Sequence, residues 1–584
     1  MVGIIVIGII FAVLLELNKN MVFGWVLALA VLVGFFFLRK HVLLGRAWPL
    51  RAGGWVVLVA ALVAVLVFTQ GPYRLQPATD AASPATTPIY TVAQGQLTGV
   101  YTADGQVEVF TGIPYAKPPV GELRWREPVD PDPWEGVLVA DHFAPMSMQP
   151  ANGALYNSIA QIVAYHDYEI TLDDNYRDMM SEDSLYVNIW KPAGDVTGAP
   201  VLVYIHGGSL QTGQPWWVDY NGEELARQGV IVVNMGYRLG IFGFFADAAL
   251  AAESANGTTG NYGLLDQIKA LEWVRDNIAA FGGDPDNVTV AGESAGSACV
   301  TALLTSPLAK GLFKRVIAES STVCAPEPAH SYRSLEDAFA AAEKTKAAFG
   351  VTTIEELRAL PAEKLVDEAY THHHITVDGY ALTESPYDSL ARGVCNAEAI
   401  LQGFNATEGA LFIIFDNANL KSYEGKVRAA FGDYADEVLA LYPATTDAEA
   451  KANWEQIYSA TLFAYGHQCL AREALANGIP VYSYWFTKEN GRLGANHGGE
   501  LMYFYGAIPA ASKLFDEGDR ALSRTMVGYF ANFAATGDPN GAGLPAWPAA
   551  TDADTVFELG ERIGLTEDPY VALYAILDRM QGWA

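Results

Sequence analysis

A serine between two glycines is the residue whose setting most clearly indicates chemistry. Ser294 stands at the centre of a G-x-S-x-G motif at residues 292–296, after a strand-like run at 287–291 and before a helical pattern at 297–304. A strand, a sharp turn and a helix around such a serine form a nucleophile elbow, in which the strained turn exposes the hydroxyl. The motif therefore predicts that Ser294 is a catalytic nucleophile.

A base must accept the proton of the serine hydroxyl, and a third group must orient that base. On an elbow of this kind the acid and then the histidine follow the serine along the chain. Of two suitably placed histidines, His467 falls in a helical pattern at 462–475, where a structural role is usual. His497 lies in a glycine-rich loop after the strand-like run 481–486, and such loops often carry catalytic groups. His497 is therefore the predicted base.

The acid of the triad is less clearly marked. Glu408 lies between Ser294 and His497, follows the apolar run 399–401 and opens a helical stretch at 409–415. The position of Glu408 is suitable for the catalytic acid. A glutamate in the first turn of a helix, stabilised by the helix dipole, fits the same pattern. Spacing alone leaves both interpretations open.

A glycine-rich loop at 206–209 follows the strand-like run 201–205. Such a loop aims backbone N–H groups at a developing oxyanion, together with the N–H after the nucleophile, here that of Ala295. A plain glycine turn is the alternative interpretation. The occurrence of this loop together with the Ser294 motif disfavours that alternative. Trp216 and Trp217 follow this loop and either line a hydrophobic entrance or pack in the interior.

The elements that must position these residues alternate along the chain. From about residue 89 short apolar runs alternate with helical patterns, which predicts a mostly parallel sheet covered by helices. The runs 201–205 and 230–234 are typical of strands buried on both faces, and 263–280 reads as an amphipathic helix. The stretch 151–180 is expected to overlie the site, because of its place beside the oxyanion loop.

Several long motifs occur in order along this region. They are FTGIPYA at 110–116, SEDSLYVNIW at 181–190, GNYGLLDQ at 260–267 and the run 281–296. From about residue 90 to about 575 the chain thus resembles the type-B carboxylesterase family, which includes bacterial carboxylesterases and cholinesterases. The resemblance implies an α/β-hydrolase fold and hydrolysis of small carboxylic esters through an acyl-enzyme, with no metal or cofactor.

The resemblance also assigns residues. It places the nucleophile on Ser294, the acid on Glu408 and the base on His497. It implies oxyanion donors at Gly208 and Ser209, with Ala295 as the third, although serine at 209 departs from the commoner glycine. The cysteines that many members join in a disulfide match Ser147 and Ser184 here, so that bond is not expected.

Three apolar runs open the chain, at 1–15, 21–38 and 52–73. A membrane span needs about 20 apolar residues, so the second and third runs qualify and the first is marginal. Arg39, Lys40, Arg46 and Arg51 separate the second run from the third, and the positive-inside rule places that loop in the cytoplasm. A cleavable signal peptide is disfavoured, because it has a single apolar run before small residues.

The predicted organisation follows from these runs. Residues 1–74 form an anchor of two or three transmembrane helices in contact with membrane lipid, 75–88 form a linker and 89–584 form the catalytic domain. The enzyme is expected at the inner membrane, with its catalytic domain on the periplasmic side.

Composition narrows the function further. A net charge of −30 argues against nucleic acid, because such a surface needs clustered lysine and arginine. Four widely spaced cysteines without CxxC indicate buried free thiols rather than a zinc site or a disulfide framework. The adjacent histidines at 372–374 point in different directions and lack carboxylates at ligand spacing, so no metal site is expected.

Two other functions remain open from the sequence. The same machinery also hydrolyses amides or carbamates, and the sequence does not separate these from esters. A noncatalytic cell-surface binding or adhesion protein on the same scaffold usually lacks one residue of the triad, whereas all three are present here.

Overall fold

The computed structural model describes residues 2–18, 20–80, 84–150, 176–325, 332–366, 372, 374–489, 494–510 and 512–582. They fall into two compact units. One comprises Met1–Gln76 and Ala151–Met179, and the other comprises Pro77–Pro150 and Met180–Ala584. The stretch 151–180, expected to overlie the site, lies outside the described residues from 151 to 175.

The first unit begins with three apolar helices. They are α1 (Val2–Leu17), α2 (Val22–Leu38) and α3 (Trp48–Phe68). The α2 helix, continued to Leu43, and α3 are long and apolar enough to cross a membrane, whereas α1 is shorter. Their apolar side chains surround each helix, so some form an internal core while many others are exposed, among them Val56, Val57 and Phe68. An apolar outer surface of this kind suits hydrocarbon better than water.

Polar side chains join the helices at the end where α1 turns into α2 and α3 terminates. Asn20 Nδ2 donates to Thr69 Oγ1 at 2.8 Å and to the Leu66 carbonyl at 2.9 Å. Just beyond α3, Tyr73–Arg74 pairs in parallel with Arg177–Asp178. These bonds connect the end of α3 to the turn between α1 and α2 and to residues 177–178 of the same unit.

The second unit contains a large sheet. Its strands are β1 (Val100–Tyr101), β2 (Val107–Pro114), β3 (Tyr186–Pro192), β4 (Ala199–Ile205), β5 (Ile231–Met235), β6 (Gly283–Glu293), β7 (Arg315–Glu319), β8 (Ala399–Asn405), β9 (Val481–Phe486), β10 (Thr555–Leu559) and β11 (Ile563–Glu567). In the described chain this sheet has 11 strands in the order β11-β10-β9-β8-β7-β6-β4-β5-β3-β2-β1. The strands β4 to β10 run parallel to one another. Antiparallel strands complete both edges of the sheet, β11 at one edge and β3, β2 and β1 at the other.

Helices cover the sheet. The longer ones are α4 (Tyr262–Asn277), α5 (Ala295–Leu303), α6 (Leu335–Phe349), α7 (Leu420–Phe431), α8 (Asp447–Ser459), α9 (Tyr465–Ala476), α10 (Glu517–Thr536) and α11 (Val571–Met580). Shorter helices span Glu223–Arg227, Gly240–Phe244, Ala248–Glu253, Ile354–Arg358, Ala362–Leu365, Pro386–Ala391, Ala435–Leu441 and Leu501–Phe504. The α4, α5 and α10 helices contact β6, which confirms the predicted parallel sheet covered by helices.

The central strands carry apolar side chains on both faces, as predicted. Val201, Val203 and Ile205 on β4 are fully buried, and so is all of β5. One boundary differs from expectation, because β6 begins at Gly283 rather than near residue 287. Its register with β4 shifts between Ala199 and Val201, so an irregularity separates the first residues of the strand from the predicted run.

The two serines at the positions of the family's cysteines meet in the fold. Ser147 Oγ lies 2.9 Å from Ser184 Oγ and donates to the Tyr237 carbonyl at 2.6 Å. A hydrogen bond therefore occupies the place of the disulfide. All four cysteines are free thiols, and only Cys395 is partly exposed, as the sequence indicated.

Candidate active site

The register of the parallel strands brings several loops to one edge of the sheet. Ile205, the last residue of β4, pairs with Gly292 of β6, and Glu293 pairs with Glu319 at the end of β7. Asn405 at the end of β8 pairs with Phe486 at the end of β9. The carboxyl ends of parallel strands are where α/β sheets bind ligands. The loops that carry Ser294, Glu408 and His497 therefore leave the sheet at the same edge, after β6, β8 and β9.

Ser294 forms the tight turn between β6 and α5. Its φ of 58° and ψ of −127° lie in a region that non-glycine residues rarely adopt. A Cβ atom on Gly296 would lie 2.0 Å from the Ile205 carbonyl oxygen, and one on Gly292 would lie 2.7 Å from the Gly296 carbonyl carbon. Both glycines of the motif are thus required by close backbone contacts, and the serine is held at the tip of the turn.

Glu408 and His497 meet through a short hydrogen bond. His497 Nδ1 lies 2.6 Å from Glu408 Oε2, and the fully buried glutamate accepts a second bond from Asn405 N at 2.7 Å. The predicted helical stretch 409–415 is wrong, because only one 3₁₀ turn, Glu408–Ala410, forms. The carboxylate is therefore directed at the imidazole rather than stabilising a helix end.

The other imidazole nitrogen faces a carboxylate that the sequence did not single out. His497 Nε2 lies 3.1 Å from Glu293 Oε1, and Glu293 directly precedes the nucleophile. Among the described residues, no hydrogen bond joins Ser294 Oγ to His497. The only signal for Glu293 in the sequence was its position inside the G-x-S-x-G motif.

Glu293 belongs to a cluster of buried carboxyl groups. Glu319 and Glu500 are both fully buried, and Glu500 accepts from Ser320 Oγ at 2.9 Å and from the side-chain amide of Asn405. Burial raises the pKa of Glu293 to about 7, against the opposing effect of His497, and raises that of Glu500 to about 8. Burial also raises the pKa of Glu319 well above its ordinary value, because the charged form of the carboxyl loses its hydration.

These carboxylates change the basicity of the imidazole. Burial by itself lowers the pKa of His497, but the negative charges of Glu293 and Glu408 outweigh that effect and raise the pKa to about 9. By contrast, burial lowers the pKa of His467 to about 3. His467 lies in α9 with its Nδ1 3.1 Å from Gln402 Oε1, which agrees with the structural role predicted for it.

The predicted oxyanion loop lies against the nucleophile. A Cβ atom on Gly207 would lie 2.9 Å from Ser294 Cβ. Gly208 and Ser209 have φ values of 104° and 56°. Throughout the described chain, no hydrogen bond is formed by the backbone N–H groups of Gly208, Ser209 or Ala295. The three N–H groups expected to bind an oxyanion are thus unused by the protein itself.

Aromatic side chains lie beside the His497 imidazole and follow the predicted oxyanion loop. Phe412 and Phe463 contact the His497 ring, with centroid distances of 5.1 and 4.8 Å, and neither was singled out from the sequence. Trp216 stacks on Phe143 at 5.5 Å, whereas Trp217 is 48% exposed. Trp216 is therefore partly buried against Phe143, and Trp217 is exposed to solvent.

The histidine run at 372–374 takes part in packing. His372 is buried, and its Nε2 lies 2.8 Å from Thr345 Oγ1. His373 lies outside the described residues. Within the described ranges, no group of three or more histidine, cysteine, aspartate or glutamate side chains is arranged to hold a metal ion.

Comparison with known proteins gives a consistent result. Residues 86–568 match the model of the carboxylesterase family. The fumonisin B1 esterase of Sphingopyxis macrogoltabida is 32% identical over 90% of this chain and 96% of its own length. The para-nitrobenzyl esterase of Bacillus subtilis is 33% identical over 79% of this chain and 92% of its own length.

A solved structure agrees in three dimensions. The crystal structure of the Geobacillus stearothermophilus carboxylesterase EST55 at pH 6.2 matches with a TM-score of 0.72 and 34% identity. The match covers 84% of this chain and 100% of that chain. The α/β-hydrolase fold expected from the motifs is therefore confirmed. The chain belongs to the carboxylesterase family and is a carboxylesterase.

Proposed function

We propose that the protein hydrolyses carboxylic esters by two-step acyl transfer with Ser294, His497 and Glu408 as its catalytic triad. The observation that carries this proposal is the 2.6 Å bond from a buried glutamate to His497, on loops that leave the sheet beside the strained Ser294 turn. Glu408 fixes the tautomer of His497 with the proton on Nδ1, which leaves Nε2 to act as the base.

The first step forms the acyl-enzyme. Ser294 Oγ attacks the ester carbonyl carbon while His497 Nε2 takes the hydroxyl proton, and the carbonyl oxygen becomes an oxyanion. The N–H groups of Gly208, Ser209 and Ala295 bind that oxyanion. When the tetrahedral intermediate collapses, the bond to the alcohol oxygen breaks, and the imidazolium gives its proton to the leaving alcohol.

In the second step water hydrolyses the acyl-enzyme by the same order of proton transfers. His497 takes a proton from water, the hydroxide attacks the acyl carbon, and the bond to Ser294 Oγ breaks with return of the proton to the serine. Glu408 stays ionised throughout and stabilises the imidazolium that forms in each half of the reaction. None of these steps needs a cofactor.

The surroundings of the site favour small esters with an apolar group. Phe412 and Phe463 border the imidazole, and Trp217 is exposed after the oxyanion loop, where it is placed to contact substrate. The relatives named above are esterases, which supports ester over amide hydrolysis here. The hydrogen-bonded pair of Glu408 and His497 likewise favours catalysis over a purely adhesive role.

We also propose that residues 1–74 anchor the enzyme in the inner membrane and that 75–88 link them to a periplasmic catalytic domain, residues 89–584. The exposed apolar surfaces of α2 and α3 support this arrangement, because about 20 apolar residues are needed to span the hydrocarbon core. The basic residues between these two helices support the orientation.

Replacement of the nucleophile tests the catalytic proposal. We expect Ser294→Ala to lower the turnover of short p-nitrophenyl esters by at least about 10⁴-fold and to abolish labelling by a fluorophosphonate. A Ser306→Ala variant, which removes another buried serine hydroxyl, serves as the control and keeps both properties. Ester turnover by the Ser294→Ala variant at the wild-type rate would contradict the assignment.

A further inference from the structure

One glutamine side chain, Gln149, forms hydrogen bonds with Gly213, four residues after the oxyanion loop at 206–209. Gly213 N donates to Gln149 Oε1 at 2.9 Å, and Gln149 Nε2 donates to Gly213 O at 2.7 Å. The same nitrogen also donates to Ser147 O at 3.1 Å. Because the amide uses its oxygen and both of its N–H bonds, and is buried, its orientation is fixed.

Gly213 in turn lies directly against the residues that begin the loop. Its φ is 114°, and a Cβ atom there would lie 2.4 Å from His206 Nδ1 and 2.6 Å from the Gly207 carbonyl oxygen. The preceding residue, Thr212, donates to the Gly208 carbonyl from both its backbone N–H, at 3.0 Å, and its hydroxyl, at 3.2 Å. Thr212 therefore hydrogen-bonds to the turn at 207–208, and Gly213 packs against it.

The loop needs such support because its backbone is strained. Gly208, Ser209 and Leu210 all have positive φ values, of 104°, 56° and 58°. A non-glycine residue in that region is strained and persists only where its surroundings hold it. The serine at 209 therefore makes the donor conformation depend more heavily on neighbouring contacts than a glycine would.

The glutamine is itself held in a fixed place. Met146–Ser147 pairs with Met180–Ser181, and Ser147 Oγ bonds to Ser184 and to the Tyr237 carbonyl. Tyr237 OH donates to the His206 carbonyl at 2.8 Å, at the start of the oxyanion loop. The segment that ends in Gln149 is thus anchored to the framework from which the loop emerges.

We propose that Gln149 is a positioning residue that holds the oxyanion loop in the conformation in which Gly208 and Ser209 donate to the transition state. This inference rests on the proposed function, because it assumes that these N–H groups bind an oxyanion. Gln149 acts through Gly213 and does not contact the reacting atoms. Its contribution is therefore made in the transition state and is nearly absent from substrate binding.

Two substitutions of similar size separate the role of the amide from its bulk. Gln149→Met keeps the length and removes both bonds to Gly213. Gln149→Glu keeps the acceptor but turns the donor into a carboxylate oxygen that faces the Gly213 carbonyl. We expect each variant to lower kcat for p-nitrophenyl esters by about 10- to 100-fold, with KM changed less than about twofold, because removal of one oxyanion donor costs on the order of 10²- to 10³-fold.

A second measurement distinguishes positioning from a merely structural role. An aryl trifluoromethyl ketone adds reversibly to a serine nucleophile and places an oxyanion in the hole, so its affinity should fall by the same factor as kcat/KM. Rates are expressed per Ser294 titrated by a fluorophosphonate, so unfolded molecules do not count. Gln468→Met serves as the control, because this buried glutamine of α9 bonds to Asp554 and not to the loop.

The results separate failure of this inference from failure of the catalytic proposal. Wild-type kcat and ketone affinity in both Gln149 variants, with Ser294→Ala inactive, would overturn the positioning role alone. A fall in kcat without a parallel fall in ketone affinity would also overturn it. Full ester turnover by Ser294→Ala would instead contradict the triad and oxyanion hole on which the inference rests.

Discussion

At the scale of single residues, the unexpected feature of the site is the Glu293 carboxylate beside the imidazole of His497. Glu293 Oε1 lies 3.1 Å from His497 Nε2, the nitrogen that accepts the serine proton in the proposed mechanism. An ion pair there stabilises the imidazolium, which is the inactive form of a general base. The same charge stabilises the imidazolium formed in the transition state, so Glu293 affects both the pH range and the rate.

The pH dependence of activity should report this interaction. Because Glu293 and Glu408 raise the pKa of His497 to about 9, kcat/KM should increase with pH as the imidazole loses its proton. Glu293→Gln removes one negative charge, which makes the imidazolium less stable and lowers that pKa. We expect the acidic limb of the kcat/KM profile to move to lower pH by at least about one unit, equivalent to about 1.4 kcal/mol.

The control for this prediction is an exposed glutamate. Glu424 pairs with Arg428 on the surface of α7, so Glu424→Gln should leave the profile unchanged. Ester hydrolysis is followed from about pH 5 to about pH 10 in buffers of constant ionic strength, because salt screens charge interactions. A profile of Glu293→Gln that coincides with that of the wild type would show that this carboxylate does not control the base.

At the scale of secondary structure, the sequence was most informative where local rules determine the backbone. The G-x-S-x-G motif predicted the strand, turn and helix around Ser294, and the continuous apolar runs 201–205 and 230–234 predicted β4 and β5. The contacts across the sheet were not predictable in this way. Glu293 meets His497, and Gln149 meets Gly213, only because the fold brings together segments that are far apart in the sequence.

The helix predicted after Glu408 illustrates the same limit. The sequence 409–415 has helical character, but Glu408 is held by Asn405 N and by His497, and Gly409 N donates to Ser459 Oγ at 2.8 Å. These tertiary bonds replace the repeating bonds of a helix after a single turn. A pattern in one segment carries no information about partners 50 or 89 residues away.

The positions of Ser147 and Ser184 predict that a disulfide introduced between them stabilises the fold. Their hydroxyl oxygens are 2.9 Å apart across a span of 37 residues. A disulfide that closes a loop of this length contributes about 3–4 kcal/mol in the chain-entropy model. Both redox forms of the cysteine variant lack the bond from the Ser147 hydroxyl to the Tyr237 carbonyl, so its loss does not change their difference. We expect oxidised Ser147→Cys/Ser184→Cys to unfold with a free energy about 3–4 kcal/mol above that of its reduced form.

Denaturant unfolding of this variant with and without reductant measures the difference, and mass spectrometry verifies that the bond has formed. Ser147→Ala/Ser184→Ala serves as the reference, because it removes the same hydrogen bonds and cannot be oxidised. It should respond equally to denaturant under both conditions. Equal stability of the oxidised and reduced cysteine variant would mean that the bond strains the native state as much as it restricts the unfolded chain.

At the scale of the whole molecule, two kinds of surface are joined in one chain. The apolar helices α2 and α3 expose large hydrophobic side chains, whereas the full chain carries a net charge of −30. A water-soluble protein rarely exposes a continuous apolar surface of that kind. The combination is the one expected of an enzyme attached to a membrane by its first 74 residues.

The proposed orientation of the anchor rests on its charges. Arg39, Lys40, Arg46 and Arg51 lie between the two longer apolar helices, and short loops rich in lysine and arginine usually remain in the cytoplasm. In the proposed orientation the chain beyond α3 is outside. We expect alkaline phosphatase, which is active only outside the cytoplasm, to be active when fused after Thr87 and inactive when fused after Arg46. The two fusions differ by one crossing, so each is the matched control of the other. Activity after Arg46 together with none after Thr87 would reverse the orientation, and activity at both positions would show that α3 does not span the membrane.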